Sequence, residues 1–326
     1  MTAAVRVPAL SVVIPVYNSV ESLPELTARL EPVLRHCAQE FELILVNDGS
    51  RDGSWGVIRG LERRYGWMRG IDLMRNSGQH NALLCGIRAA RHPLTVTLDD
   101  DLQNPPEEIP ALLAALSQDL DLLYGAPTHE VHGIWRDIAS QVTKIVLQGV
   151  MGADTARMVG PFRVFRTDVR RAFEDYRGTF VNIDVLLTWG TTRVAAIRVR
   201  HDERRAGRSN YTFRTLLTHS LNMLTGFSVV PLQVASVLGF SLTLVGAVLF
   251  AFVLARYFFS GVAVPGFAFL ASVIIVFSGA QLLTLGIMGE YLARMHFRLL
   301  ERPSYTVRSR VPEGSDAPGL SEPTHD

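Results

Sequence analysis

Through the first hundred residues the chain alternates short apolar runs with stretches in which apolar positions recur every three or four residues. "LSVVIPVY" (10–17) is a β-branched run that predicts a strand, and "SLPELTARLEPVLRHC" (22–37) carries apolar residues at helical spacing. "FELILVNDGS" (41–50) predicts a second buried strand ending in a polar turn, with a helix to follow over "SWGVIRGLERRYG" (54–66). "MRGIDLM" (68–74), "HNALLCGIRAAR" (80–91) and "LTVTLDD" (94–100) continue as strand, helix and strand. This alternation implies an α/β fold: a mostly parallel sheet with helices on both faces.

In such sheets ligands bind beyond the carboxyl ends of the strands. Three polar clusters fall at those ends: "PVYNS" (15–19), "NDGSRD" (47–52) and "DDDLQ" (99–103). Strand-end loops are often polar for solubility alone, but three at one rim point to a site. If the chain stays extended past the fourth strand, alternation turns Asp99 and Asp101 to the same side. Two carboxylates with Gln103 nearby make an oxygen-rich half-site suited to Mg²⁺ or Mn²⁺, ions that keep water or bind phosphate. A plainer role is a helix start, with Asn104 as cap and the prolines of "NPPEEIP" opening the helix, and the two roles are compatible. Asp48 ends a strand and is followed by Gly49, which permits a tight turn; a carboxylate there can accept hydrogen bonds from a base or ribose.

The last third has a different pattern. "LQVASVLGFSLTLVGAVLFAFVLA" (232–255) and "GVAVPGFAFLASVIIVFSGAQLLTLGIMG" (261–289) contain no charge. Each exceeds the roughly 20 residues needed to cross a hydrocarbon core of about 30 Å. A buried core hairpin is the soluble alternative, but two uncharged runs of this length joined by a short linker predict a transmembrane hairpin. Arg294, Arg298, Arg302, Arg308 and Arg310 follow the second run while the linker holds only Arg256, which places both ends in the cytoplasm. "TFRTLLTHSLNMLTGFSVVPL" (212–232) is amphipathic and suits either the membrane surface or packing on the sheet. The Pro/Gly-rich tail "PEGSDAPGLSEPTHD" (312–326) is expected to be disordered.

Composition narrows the function. A net charge of +1 argues against nucleic acid as a partner. The two cysteines, Cys37 and Cys85, lie in apolar surroundings, as buried thiols of a reducing compartment would. The nine histidines form no HxxxH or HExxH cluster, and there is no GxGxxG, P-loop or EF-hand pattern. "MTAAVRVPAL" has no apolar core of signal-peptide length.

"SVVIPVYN", "LVNDGSRDGSW", "MRNSGQHNALLCGI" and "TLDDDLQNPPEEIP", with the two terminal apolar runs, resemble the family-2 glycosyltransferases that load sugars onto polyprenyl phosphate. The likeness spans about residues 10–305, and "GQHNA" and "DLQNPPEEIP" are most similar to the bacterial undecaprenyl-phosphate aminoarabinose (formamido) branch. The resemblance implies a GT-A catalytic domain over 1–228, a membrane hairpin over 229–293 (spans 232–256 and 264–290) and a basic segment with a disordered tail over 294–326. It implies an NDP-sugar donor, a UDP-sugar first of all, a polyprenyl phosphate acceptor, Mg²⁺ or Mn²⁺, an inverting single displacement, and a homo-oligomer (a tetramer) in the bacterial inner membrane.

Position by position, the resemblance assigns Pro15, Tyr17, Asn18, Val46, Asp48 and Asp100 to the nucleotide sugar, with Gln103, Arg204 and Arg208. It gives Asp99, Asp101 and Gln103 to the metal, and Arg136 and Ser140 of "WRDIAS" to the acceptor phosphate, with Asp99, Asp101 and Arg136 central to catalysis. "HDERRAGRSN" (201–210) matches the basic loop that closes over the donor. The chain departs from the family pattern in several places. Ser19 stands where glutamate is usual, Asp100 where alanine is usual, "YGAPT" lacks an arginine, and Asn210 replaces a lysine. Arg205 and Arg208 are placed to compensate, and as loop arginines they could equally be solvated. Asp184 in "FVNIDVLL" could face the pocket or be a surface acid. A processive synthase would usually carry QxxRW and more spans, and a DxDx[TV] phosphatase would need Thr or Val after the aspartates. A non-catalytic scaffold is the non-enzyme alternative, which intact Asp99, Asp101 and Gln103 oppose.

Overall fold

The computed structural model describes residues 6–127, 159–178, 181–202, 230–260, 266–300 and 302–311. Arg136, Ser140, Arg204, Arg205, Arg208, Asn210, the amphipathic stretch up to residue 229 and the tail after 311 lie outside the described residues. The chain divides into two units, one of Met1–Phe213 with Arg302–Asp326, the other of Arg214–Glu301.

The first unit opens with β1 (Val7–Val16), α1 (Ser22–Cys37), β2 (Ala38–Asn47), α2 (Ser54–Arg64), β3 (Met68–Leu73), α3 (Gln79–Ala89) and β4 (Leu94–Thr97). This is the order that the apolar periodicity predicts. α1 runs through Pro32 and keeps one buried stripe of Leu23, Leu26, Leu30 and Leu34 against the sheet. α4 (Ile109–Ala115), β5 (Leu122–Pro127), β6 (Arg163–Arg166), α5 (Ile183–Gly190) and β7 (Val194–Val199) follow among the described residues. With β8 (Val307–Val311) the eight-stranded sheet has the order β7-β5-β6-β4-β1-β2-β3-β8.

β1, β2, β3 and β4 are parallel neighbours, with Val16 beside Asn47, Asn47 beside Asp72, and Val13 beside Thr97. Their carboxyl ends therefore share one rim. β6 runs antiparallel to both β4 and β5, which sets Arg163 beside Thr97 at that same end. β1 and β2 are buried on both faces and read as near-continuous apolar runs, the composition that a doubly covered parallel strand requires.

β8 (Val307–Val311) pairs antiparallel with β3. Residues 294–326 are expected to form one basic segment with a disordered tail, but 302–311 instead belong to the first unit. "VRSRV" puts its arginines at alternate positions, so the run carries little apolar signal, and it covers an otherwise open sheet edge. The segment is tied down at several points. Met74 N donates to Thr306 O at 2.9 Å, Arg308 Nη2 to Met74 O at 2.9 Å, and Ser304 Oγ to Gly178 O at 2.8 Å.

The second unit holds α6 (Val230–Ser260) and α7 (Phe267–Leu299), which pack on each other. α6 extends beyond the expected span 232–256 at both ends, whereas α7 begins three residues inside the expected 264–290 and runs past its end to Leu299. Among the described residues one helix, at Pro231–Arg256, is long and apolar enough to cross a membrane. The two units treat apolar surface differently. Among the described residues, the exposed large apolar side chains of the first unit are Tyr17, Met74 and Trp189, and the rest fall between Val234 and Leu300.

Candidate active site

Four loops meet at the carboxyl rim, one after each of β1 to β4. The loop after β1 carries Tyr17, Asn18 and Ser19, with Asn18 at φ 55°. Asn18 Oδ1 accepts from Arg51 N at 2.9 Å, and Asn18 N donates to Ser50 Oγ at 3.0 Å, which fastens this loop to the one after β2. Pro15 and Val46 are buried register partners immediately beneath it.

Asp48 starts the second loop and is only 2% exposed. Its two oxygens accept the amides of Ser77 (2.7 Å) and Gly78 (2.8 Å) from the loop after β3. Burial pushes the Asp48 carboxyl above its ordinary pKa, and the two amides pull against that rise. Gly49 has φ +62°, and a Cβ there would lie 2.5 Å from the backbone of Arg75 and Asn76. Gly49→Ala is therefore expected to push the Arg75–Gly78 loop off Asp48. The strained conformation costs about 1–3 kcal/mol, so Gly49→Ala should unfold at a lower temperature than wild type in a thermal melt.

The loop after β4 holds the three aspartates, and here the extended-chain expectation fails. β4 ends at Thr97, the last residue paired with β1, and Asp100–Asp101 form a turn, with Leu102 at φ 61°. The three carboxylates part company. Asp99 Oδ1 accepts Gln79 Nε2 at 2.5 Å. Asp101 Oδ1 accepts Gln103 N at 3.1 Å, closing a local turn. Asp100 Oδ2 accepts Tyr17 N at 3.2 Å and a short bond from the Ser19 hydroxyl. Two of the positions that depart from the family pattern, Ser19 and Asp100, are thus partners. Asp100, expected among the nucleotide contacts, bridges the β1 and β4 loops. Burial raises its pKa to about 6, against the pull of Ser19 and Tyr17. Asn104 is buried but makes no cap bond; the 3₁₀ turn Pro106–Glu108 has Pro105 at its cap, and the prolines open the helical segment as expected.

Asp99, Asp101 and Gln103 offer hard oxygen donors, the chemistry that Mg²⁺ or Mn²⁺ takes. Among the described residues no group of three His, Cys, Asp or Glu side chains gathers to enclose an ion. That fits an ion held by a carboxylate or two and completed by phosphate and water, as magnesium usually is.

Two features of the rim were not visible in the sequence. The first is the turn Ser77-Gly78-Gln79-His80, in which consecutive residues reach Asp48, Asp48, Asp99 and α5: Ile183 N donates to His80 Nδ1 at 3.3 Å. Its signal was the small and amide residues placed just before an apolar helix. The second is a buried charge pair beside β4. Arg163 (1% exposed) donates to Asp184 Oδ1 at 2.5 Å, and Tyr124 Oη to the same oxygen at 3.1 Å. Asp184 is thus neither a surface acid nor an isolated pocket carboxylate.

Comparison with known proteins places this rim in context. The family model described as Glycosyl transferase family 2 matches residues 11–173, which contain all four loops. The chain belongs to that family. It is 35% identical over 313 residues to the undecaprenyl-phosphate 4-deoxy-4-formamido-L-arabinose transferase of Pseudomonas savastanoi pv. phaseolicola, covering 94% of this chain and 92% of the relative. It is 36% identical over 304 residues to the enzyme of the same name from Pseudomonas paraeruginosa, covering 92% of this chain and 90% of the relative. Among solved structures, glucosyl-3-phosphoglycerate synthase from Mycobacterium tuberculosis with Mn²⁺ and UDP-glucose aligns at TM-score 0.48 and 15% identity, over 67% of this chain and 77% of that one. The metal and donor in that crystal are that protein's own. As a family-2 glycosyltransferase, this chain is an enzyme, and its mostly parallel sheet is of the GT-A kind.

Proposed function

We propose that this enzyme transfers a sugar from a nucleoside-diphosphate sugar, a UDP-sugar first of all, to undecaprenyl phosphate at a bacterial inner membrane. One observation carries the reading. The carboxyl rim joins Asp48 and the Asp99–Asp101 turn through a single connecting turn, in a chain whose relatives along almost its whole length bear undecaprenyl-phosphate sugar transferase names.

In this reading Asp48 and the β1 loop (Pro15, Tyr17, Asn18), with Val46 beneath, face the nucleotide. Asp99, Asp101 and Gln103 would hold Mg²⁺ or Mn²⁺, which as a Lewis acid neutralises charge on the departing nucleoside diphosphate. Arg204 and Arg208 close over the donor, and Arg136 and Ser140 hold the acceptor phosphate, as the resemblance assigns them. A lipid phosphate is ionised at neutral pH, so it needs no strong general base. The chain's task is to hold two anions in line while shielding each from the other, so that orientation and charge neutralisation lower the barrier. Attack from the face opposite the leaving group inverts the anomeric centre.

The return of the chain supports the membrane topology. β1 to β7 precede α6, yet β8 hydrogen-bonds to β3 of the same sheet. If α6 crosses the bilayer, the chain must cross back before Arg302, and α7, 33 residues long, is the element available to do so. Both ends then lie on the cytoplasmic side. Ala263→Cys, between the helices, is expected to react with a membrane-impermeant maleimide in intact spheroplasts, and Asp168→Cys only after lysis; the native Cys37 and Cys85 are buried. Labelling of both in intact cells contradicts the hairpin. A homo-oligomer, a tetramer by resemblance, completes the proposal, and light scattering of the detergent-extracted enzyme checks it.

The function itself is tested with purified enzyme, undecaprenyl phosphate and a panel of NDP-sugars, the lipid product being identified by mass spectrometry. A polyprenyl-phosphate sugar that forms only with Mg²⁺ or Mn²⁺ present supports the reading. Undiminished product in excess EDTA removes the metal from it.

A further inference from the structure

We propose that Gln79 is a positioning residue that sets the Asp99 carboxylate for the divalent cation, and that the Ser77–Gln79 turn thereby locks the nucleotide and cation halves of the site into one register. The inference rests on the reading of Asp99 and Asp101 as cation ligands. Asp99 is two residues past the last paired position of β4, so the sheet ladder does not fix its side chain. The Gln79 side-chain amide reaches it from the neighbouring loop and donates to Oδ1 at 2.5 Å.

Gln79 is well placed for this task. It is the first residue of α3 and is itself exposed, so packing does not account for it. Its backbone is fixed by the two preceding amides, which grip the buried Asp48, and by Gly78 at φ +96°, a conformation that residues with a Cβ rarely adopt. A neutral amide can orient a carboxylate without competing for the cation's charge. A lysine would repel the ion, and a glutamate would repel Asp99. Partners that hydrogen-bond to metal-ligating groups commonly control affinity by about 10–100-fold.

The test replaces the donor but keeps the shape. Full-length wild type, Gln79→Met and Asp101→Asn are purified in detergent, and Mn²⁺ affinity is measured by electron paramagnetic resonance of the free ion, with thermal unfolding recorded in EDTA. The expected result is Mn²⁺ binding weakened about tenfold in Gln79→Met, with unfolding in EDTA unchanged. Wild-type Mn²⁺ affinity in Gln79→Met, with Asp101→Asn weakened, overturns the role of Gln79. Lower Mn²⁺ affinity together with an earlier melt in EDTA overturns it too, because Gln79 would then be holding the fold. Equal affinity in all three proteins sinks the cation reading on which the inference stands.

Discussion

Asp101→Asn is expected to lower sugar transfer by about a thousandfold or more while leaving the protein folded and membrane-bound. The size follows from the proposed role: an ion that neutralises a leaving diphosphate supplies several kcal/mol, and about 4 kcal/mol corresponds to three powers of ten in rate. The prediction of an intact fold comes from the local geometry. Asp101 Oδ1 accepts the Gln103 amide, and asparagine keeps an oxygen in that position, so the turn persists while the charge is lost. Single-turnover transfer with saturating donor and acceptor, alongside thermal unfolding, separates the two effects. Turnover equal to wild type would remove Asp101 from the reaction, and a collapsed melt would show that the residue is structural.

The second large effect concerns stability. Asp184→Leu is expected to destabilise the first unit by about 3–5 kcal/mol, because it leaves the Arg163 guanidinium charged, buried and without its carboxylate. In a unit of this size that corresponds to a melting temperature lower by roughly 6–20 °C. Arg163→Met combined with Asp184→Leu should recover most of the loss, since a buried pair replaced by apolar groups is often neutral. Tyr124 retains a penalty of about 1–3 kcal/mol, because its hydroxyl loses its acceptor in either protein. Calorimetry of the three proteins in detergent decides the matter. Asp184→Leu melting like wild type would mean that the pair contributes nothing to stability. A stable double variant with no transfer activity would instead assign Asp184 or Arg163 to the chemistry.

The parts that were legible in the sequence share a property. α1 was readable to the residue because Leu23, Leu26, Leu30 and Leu34 repeat with the helix period. β1 and β2 were readable because their buried stretches, Leu10–Val16 and Leu43–Val46, are near-continuous apolar runs. Asp48 and the aspartate cluster could be nominated because strand-end position is itself encoded in where the apolar run stops. The misses have equally specific causes. Alternation beyond Thr97 failed because pairing with β1 ends there, and nothing keeps an unpaired segment extended. Asn104 makes no cap bond, because a favourable residue type does not by itself make one. Asp184 remained undecided because its partners, Arg163 and Tyr124, lie in strands that carry no signal of facing it. Arg136, Ser140, Arg204 and Arg208 rest on resemblance, since they lie outside the described residues.

By itself the sequence determined the order and kind of the first seven elements, the family and the long apolar helix, all of which depend on residues close together along the chain. Only the tertiary structure decided that Gln79 meets Asp99, that Ser19 meets Asp100, and that Val307–Val311 rejoins the sheet beside β3 after two long helices. The physical reason is separation. Periodicity reports which way a side chain faces on its own element, whereas a contact between distant segments is fixed by sheet order and loop closure, which no local pattern records.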